Sequence, residues 1–110
     1  MTGDDPELRR LLWFLLGASR GGENRAKIIN ELHTKPCNLN QLSRELQLDY
    51  RSVQHHIEVL KKNLIIVSSG ERYGAIYSIH PWVAAHYQIF EEICGKLSFN
   101  FAAARKAKHS

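Results

Sequence analysis

The 110-residue chain has little cysteine and no long apolar run. Two cysteines, Cys37 and Cys94, do not make a disulfide framework. The densest apolar stretch, Leu11 to Leu16, is far short of the ~20 residues of a membrane span. It imitates the core of a signal peptide, but Asp4, Asp5 and Glu7 make the start acidic, so no export signal is read there. No glycine-rich phosphate loop, His-Glu-x-x-His pair or nucleophile elbow is present, so no catalytic residue, metal ligand or cofactor site is expected. Internal repeats are absent too. A cytoplasmic domain with no membrane partner is expected. Its 44% apolar content is normal for a globular core.

The formal net charge is +4, which hints at an anionic partner. It is unevenly spread. Residues 1–24 hold three basic and four acidic groups, residues 25–80 eight and five, and residues 81–110 four and two. The basic surface is therefore expected to exclude the N-terminal segment. Residues 105–110 read as an unfolded basic tail, either adding phosphate contacts or only aiding solubility.

Asp5-Pro6 starts a helix, with a side-chain cap followed by proline at the first helical position. Leu8, Leu11, Leu12, Leu15 and Leu16 recur at helical spacing, and Trp13 and Phe14 widen the stripe. Gly17, Gly21 and Gly22 read as a flexible joint. A second helix is predicted from Arg25 to about His33, capped by Asn24 and stopped by Pro36. Asn38 with Gln41 approximates a capping box for a short third helix carrying Leu39, Leu42 and Leu46. Gln47-Leu48-Asp49 is a tight connection, and Asp49 caps a fourth helix, 50–62. Asn63 suits a left-handed helix end. Residues 64–67 and 75–79 read as strands, joined by a loop at 70–74. From Pro81 a single closing helix is predicted. Its Val83, Tyr87, Phe90, Cys94, Leu97 and Phe101 step by 4, 3, 4, 3 and 4, a heptad seam interrupted by Gly95.

This order predicts a mainly α fold with a small β-hairpin (α+β): a winged helix-turn-helix at 21–80, with the fourth helix entering the major groove and residues 68–75 as the wing. An apolar helix in 1–20 and a closing helix in 81–104 carry more apolar surface than that domain covers. Their Leu8, Leu12, Leu15, Val83, Tyr87, Phe90, Cys94 and Leu97 are therefore expected to pair across the two-fold axis of a homodimer, which suits a palindromic or pseudo-palindromic site. The other arrangement packs the two helices on each other within one chain.

The stretch Leu48 to Leu60, LDYRSVQHHIEVL, resembles the recognition helix of ArsR-type winged-helix repressors, and Leu39, Leu42, Leu46 and Leu48 have the spacing of the helix before it. Gly21-Gly22-Glu23-Asn24-Arg25 and Asp49-Tyr50 look more like archaeal members of that family. The resemblance covers roughly residues 20–80 and implies a double-stranded DNA-binding transcriptional regulator, more a repressor than an activator. It implies that Tyr50, Arg51, Ser52, Gln54 and His55 meet DNA.

Helix geometry tests that implication. With Tyr50 at 0° and about 100° per residue, Val53, Ile57 and Leu60 define a buried side at about 300°, 340° and 280°. Arg51, His55 and Lys62 lie opposite it, at about 100°, 140° and 120°. Gln54 is at the border, Tyr50 suits packing as well as DNA, and His56 borders the core as a structural histidine. Arginine pairs with guanine and glutamine with adenine, while Ser52, Lys61 and Lys62 suit phosphates. Arg72, at the wing tip, suits a narrow minor groove or is a solvated loop residue. Glu58 is the awkward residue; it can accept from cytosine or pair with Arg51 or Lys62.

ArsR-type metal sensors commonly carry cysteines where this chain has Asn38 and Asn40, and Cys37 stands alone. His80, His86, Glu91 and Glu92 do not match the spacing of the other common sensor site. Two further function classes remain: a winged-helix protein-interaction module, and a regulator that responds to redox state through Cys37 or to an effector held near Trp13, Trp82 and Tyr87.

Overall fold

A computed structural model describes residues 3–18, 20–70 and 74–99. Its elements run α1 (Pro6–Gly17), α2 (Gly22–Thr34), α3 (Leu39–Leu46), α4 (Tyr50–Lys62), β1 (Ile66–Ser69), β2 (Ile76–Ile79), α5 (Pro81–Ala84) and α6 (Tyr87–Lys96). Helices α2, α3 and α4 followed by the antiparallel hairpin β1–β2 are a winged helix, with α1 before it and α5–α6 after it. No helix among the described residues is long and apolar enough to cross a membrane.

The local signals hold where they are chemical. Asp5 Oδ1 accepts from Leu8 N at 3.1 Å and Pro6 opens α1. The Asn38–Gln41 capping box closes in both directions at 2.8 Å. Asp49 Oδ2 accepts from Ser52 N at 3.2 Å at the head of α4. Lys35, before Pro36, is extended (φ −162°, ψ 147°), as the proline ring requires of its predecessor, and α2 ends there.

Four expectations need correction. First, α2 starts at Gly22, with Gly21 in place of a side-chain cap, three residues before the predicted Arg25 start. The two glycines are a close-approach joint. A Cβ on Gly22 would overlap the Leu16 carbonyl, and Gly21 sits at φ 87°, where a Cβ would come within 2.8 Å of His56 Cε1. Second, the left-handed residue after α4 is Leu64 (φ 63°), while Asn63 stays at φ −95° and its side chain donates to Val59 O at 2.8 Å.

Third, β1 begins two residues later than predicted, at Ile66, because Leu64 turns the chain first. Ile66 pairs with Ile79 and Ser69 with Ile76. The hairpin gains a short third rung that the sequence does not announce. Cys37 and Tyr77 exchange backbone hydrogen bonds at 3.1 and 2.8 Å, tying the approach to α3 onto β2.

Fourth, the closing helix is broken between Ala84 and Tyr87. His80 Nδ1 caps α5 by accepting from Trp82 N at 3.0 Å, and the Trp82 indole donates to Asp5 Oδ2 at 2.7 Å, which fastens α5 to the head of α1. A straight heptad seam therefore does not form. Ile89 and Ile93, off that seam, are fully buried along with Tyr87, Phe90 and Cys94.

The core decides what the outer helices do. Leu8, Leu12, Leu15, Val83, Tyr87, Phe90 and Cys94 are all buried within the single chain, and Leu97 is half-buried. They do not form the free face expected of them, because α1 packs on α6 in the same chain and Arg9 bridges Glu92 at 2.8 Å. Burial of a leucine is worth about 1.5–3 kcal/mol, and α1 buries four of them, Leu8, Leu12, Leu15 and Leu16, within the single chain. Helix α1 is thus part of the core. His33 and Tyr87 stack at 3.6 Å, joining α2 to α6. Among the described residues, the large apolar side chains left exposed are Phe14 (61%), Leu64 (56%), Tyr50 and Ile76.

Both cysteines are core residues, and burial pushes the Cys94 thiol up to about 12. A thiol reagent is expected to modify neither in the native chain except as fast as it unfolds. Rapid reaction of either thiol in native buffer would contradict this burial.

Candidate nucleic-acid interface

Helix α4 presents its polar side outward because its other side is anchored. Val53, His56, Ile57 and Leu60 are buried; Arg51, Ser52, Gln54, His55, Glu58, Lys61 and Lys62 are exposed. Tyr50 is 45% exposed, so the packing role open to it from its helix angle is not the one it takes.

Beneath α4 lies Arg25, only 5% exposed, with its guanidinium pKa lowered by burial. Its Nε donates to Leu15 O at 2.9 Å, Nη2 to Arg20 O at 3.4 Å, and Nη1 lies 3.2 Å from His56 Nδ1. A guanidinium only donates, so Nδ1 accepts, and the His56 ring is neutral with its proton on Nε2. One buried side chain thus holds the end of α1, the α1–α2 joint and the middle of α4 together. The structural role for His56 is the one observed.

The exposed side of α4 borders three concavities. On the hairpin side, one of about 510 Å³ is lined by Tyr50, Gln54, Glu58 and Lys61, with Asn38, Asn40 and Ser68 facing them. On the other side, one of about 430 Å³ collects Arg51, Ser52 and His55 with Arg20, Arg25 and His56. Lys62 stands apart from both, beside Asn63 and Leu64 in a groove with Leu11, Phe14 and Trp82. Arg72 lies outside the described residues, as does the expected basic tail at 105–110.

Arg51 and Lys61 enter no ion pair among the described residues, and Glu58 pairs with neither Arg51 nor Lys62. Arg51 and His55 therefore offer free donors on the side of α4 away from the core, and Gln54 offers a donor and an acceptor on the hairpin side. That set can meet base edges, while Ser52 and Lys61 can meet phosphates. Sequence reasoning missed Asn38, Asn40, Ser68 and Arg20. Asn38 reads in sequence as a helix cap and, with Asn40, as a replaced metal ligand, and Arg20 is hidden inside an acidic segment.

A three-dimensional comparison adds to this geometry. HlyU of Vibrio cholerae superposes with a TM-score of 0.61 at 17% identity, covering 86% of this chain and 96% of that one. The fold is that of HlyU. Reduced HlyU from the same organism (0.60, 16%, 84% and 90%) and the transcriptional regulator HlyU of Vibrio vulnificus (0.60, 18%, 80% and 90%) agree. No family model matches the chain, and no curated protein matches it in sequence. At these identities it is the HlyU fold that is shared.

Other candidate chemistry is weakened by the packing. Among the described residues, no three His, Cys, Asp or Glu side chains come together as a metal site. Of Trp13, Trp82 and Tyr87, only Trp82 lines the groove at Phe14. Tyr87 is stacked on His33, and burial raises its phenol above the ordinary value.

Burial, then the charges of Arg25 and His55, hold the His56 imidazole below its ordinary 6.5. Above pH 6.5 the folded and unfolded chains both carry a neutral ring. Below it the unfolded chain takes up a proton that the folded chain refuses, so stability falls until the lowered folded value is passed. His56→Gln, which keeps an acceptor for Arg25, is expected to flatten the loss of melting temperature between pH 7 and pH 5. An identical pH profile in the variant would contradict the neutral-acceptor role.

Proposed function

We propose that this chain is a sequence-specific double-stranded DNA-binding transcriptional regulator of the ArsR-like kind. It acts as a homodimer on a palindromic or pseudo-palindromic site, as a repressor. The observation that carries this reading is the exposed Arg51, in no ion pair among the described residues, beside His55 on a helix whose opposite side is fixed to the core. Helix α4 enters the major groove. Arg51 and Gln54 read bases; Ser52 and Lys61 hold backbone phosphates. A redox response through Cys37 loses support, since that thiol is fully buried.

The self-association surface moves from the expected core residues to the groove of Leu11, Phe14, Leu64 and Trp82. Leu64 holds a left-handed backbone, at a strain of about 1–2 kcal/mol for a residue with a Cβ, and points an apolar side chain into solvent. A covering surface would remove the exposed apolar area, leaving only the backbone strain. The rim carries Glu7 and Arg10, so a two-fold axis can set opposite charges face to face.

Selection of bound fragments from random DNA tests the reading. A palindromic consensus is expected, and Arg51→Ala should reduce discrimination between matched and mismatched sites by about 1–3 kcal/mol. Equal affinity for all sequences, or a stable protein complex with no DNA binding, would overturn it. In sedimentation, the wild type is expected as a dimer and Phe14→Asp as a folded monomer. A wild-type monomer at tens of micromolar, or a Phe14→Asp dimer, would refute the groove as the contact.

A further inference from the structure

The concavity beside the N-terminal half of α4 has an unusual lining. Arg20, Arg25, Arg51, Ser52, His55 and His56 face it, and no carboxylate among the described residues does. It is shallow and open to solvent, so a group on an extended polymer can reach it.

The floor is built rather than accidental. Arg25 is held by the Leu15 and Arg20 carbonyls and against His56, so its guanidinium is fixed in place. Gly21 keeps the space open, because a side chain there would collide with the His56 ring. Arg20 comes from the α1–α2 joint and Arg51 from α4. Both are exposed, and neither enters an ion pair among the described residues. Two guanidinium forks from separate elements border one concavity that Ser52 also lines. That geometry suits an anion with several acceptor oxygens.

We infer that this concavity is a phosphate seat, filled by a backbone phosphodiester beside the groove that α4 enters. The inference rests on the DNA-binding reading and adds the α1–α2 joint to the contact surface. Its contribution is to register and affinity, since a phosphate carries no sequence information. A free phosphorylated compound offers the same chemistry, and the experiment separates the two sources.

The measurement is the dependence of log affinity on log salt for the full chain on duplex DNA. Arg20→Gln is expected to make the slope shallower by about one unit and to weaken matched and scrambled duplexes by the same factor. Lys96→Gln, an equal loss of charge on α6, is expected to leave the slope unchanged. Arg20 serves the fold through its carbonyl, so Arg20→Gln should melt like the wild type. An unchanged slope in Arg20→Gln, while Arg51→Gln still lowers affinity, overturns the seat and leaves the DNA reading standing. If the wild type binds no duplex, the DNA reading falls and inorganic pyrophosphate decides the seat. Pyrophosphate-induced shifts of the His55 and His56 ring protons that vanish in Arg20→Gln assign it to free phosphate compounds. Absent shifts overturn it.

Discussion

A guanidinium taken out of water must find acceptors, and Arg25 finds them in three places at once. The Leu15 carbonyl ends α1, the Arg20 carbonyl sits in the joint, and His56 belongs to α4. A hydrogen bond to a charged group is worth about 1.5–3 kcal/mol, so each of these contacts matters to the fold. The joint geometry follows from this demand. Gly21 must lack a side chain so that His56 can reach Arg25, and Gly22 must lack one so that α2 can start against the Leu16 carbonyl. The outward aim of Arg51 and His55 is then a consequence of how His56, on the buried side of the same helix, is held from below.

Histidine suits this position better than an aliphatic residue or a lysine. It fills core space, accepts from a cation while neutral, and gives up that role on protonation. The anchor of α4 is thus a proton-sensitive contact beside residues proposed to meet DNA, since His56 borders the same concavity as Arg51 and His55. Adjacent His55 and His56 differ in kind although they differ little in sequence: one ring is exposed and the other buried, their centroids 5.6 Å apart.

What could be read from the sequence was what is decided within a few residues. Asp5-Pro6, the Asn38–Gln41 box and Asp49 act over three or four positions, so their helix starts were legible. The buried stripe of α4 was legible for the same reason, since Val53, Ile57 and Leu60 need only helical spacing. Positions decided by distant partners were not. The break after α5 reflects Trp82 reaching Asp5, 77 residues away, and the early start of α2 reflects a carbonyl on α1. The two outer helices show the limit most clearly: surplus apolar surface was visible, but which surface covers it was not. Among the described residues most of it turned inward, leaving Phe14. The site was legible in its helical half, while Arg20 and the asparagines opposite Gln54 are brought in by the fold.

The clasp between α1 and α5–α6 bears on how the fold closes. Asp5 meets Trp82 and Arg9 meets Glu92, contacts spanning 77 and 83 residues. Such closures carry a large loop entropy, because the intervening chain must be ordered before they are rewarded. Helix α1 also packs on α2, its neighbour in sequence, so its leucine face is covered in two steps, one local and one distant. The Arg25 contacts that anchor α4 span only 5 to 31 residues, so they do not wait for the distant step.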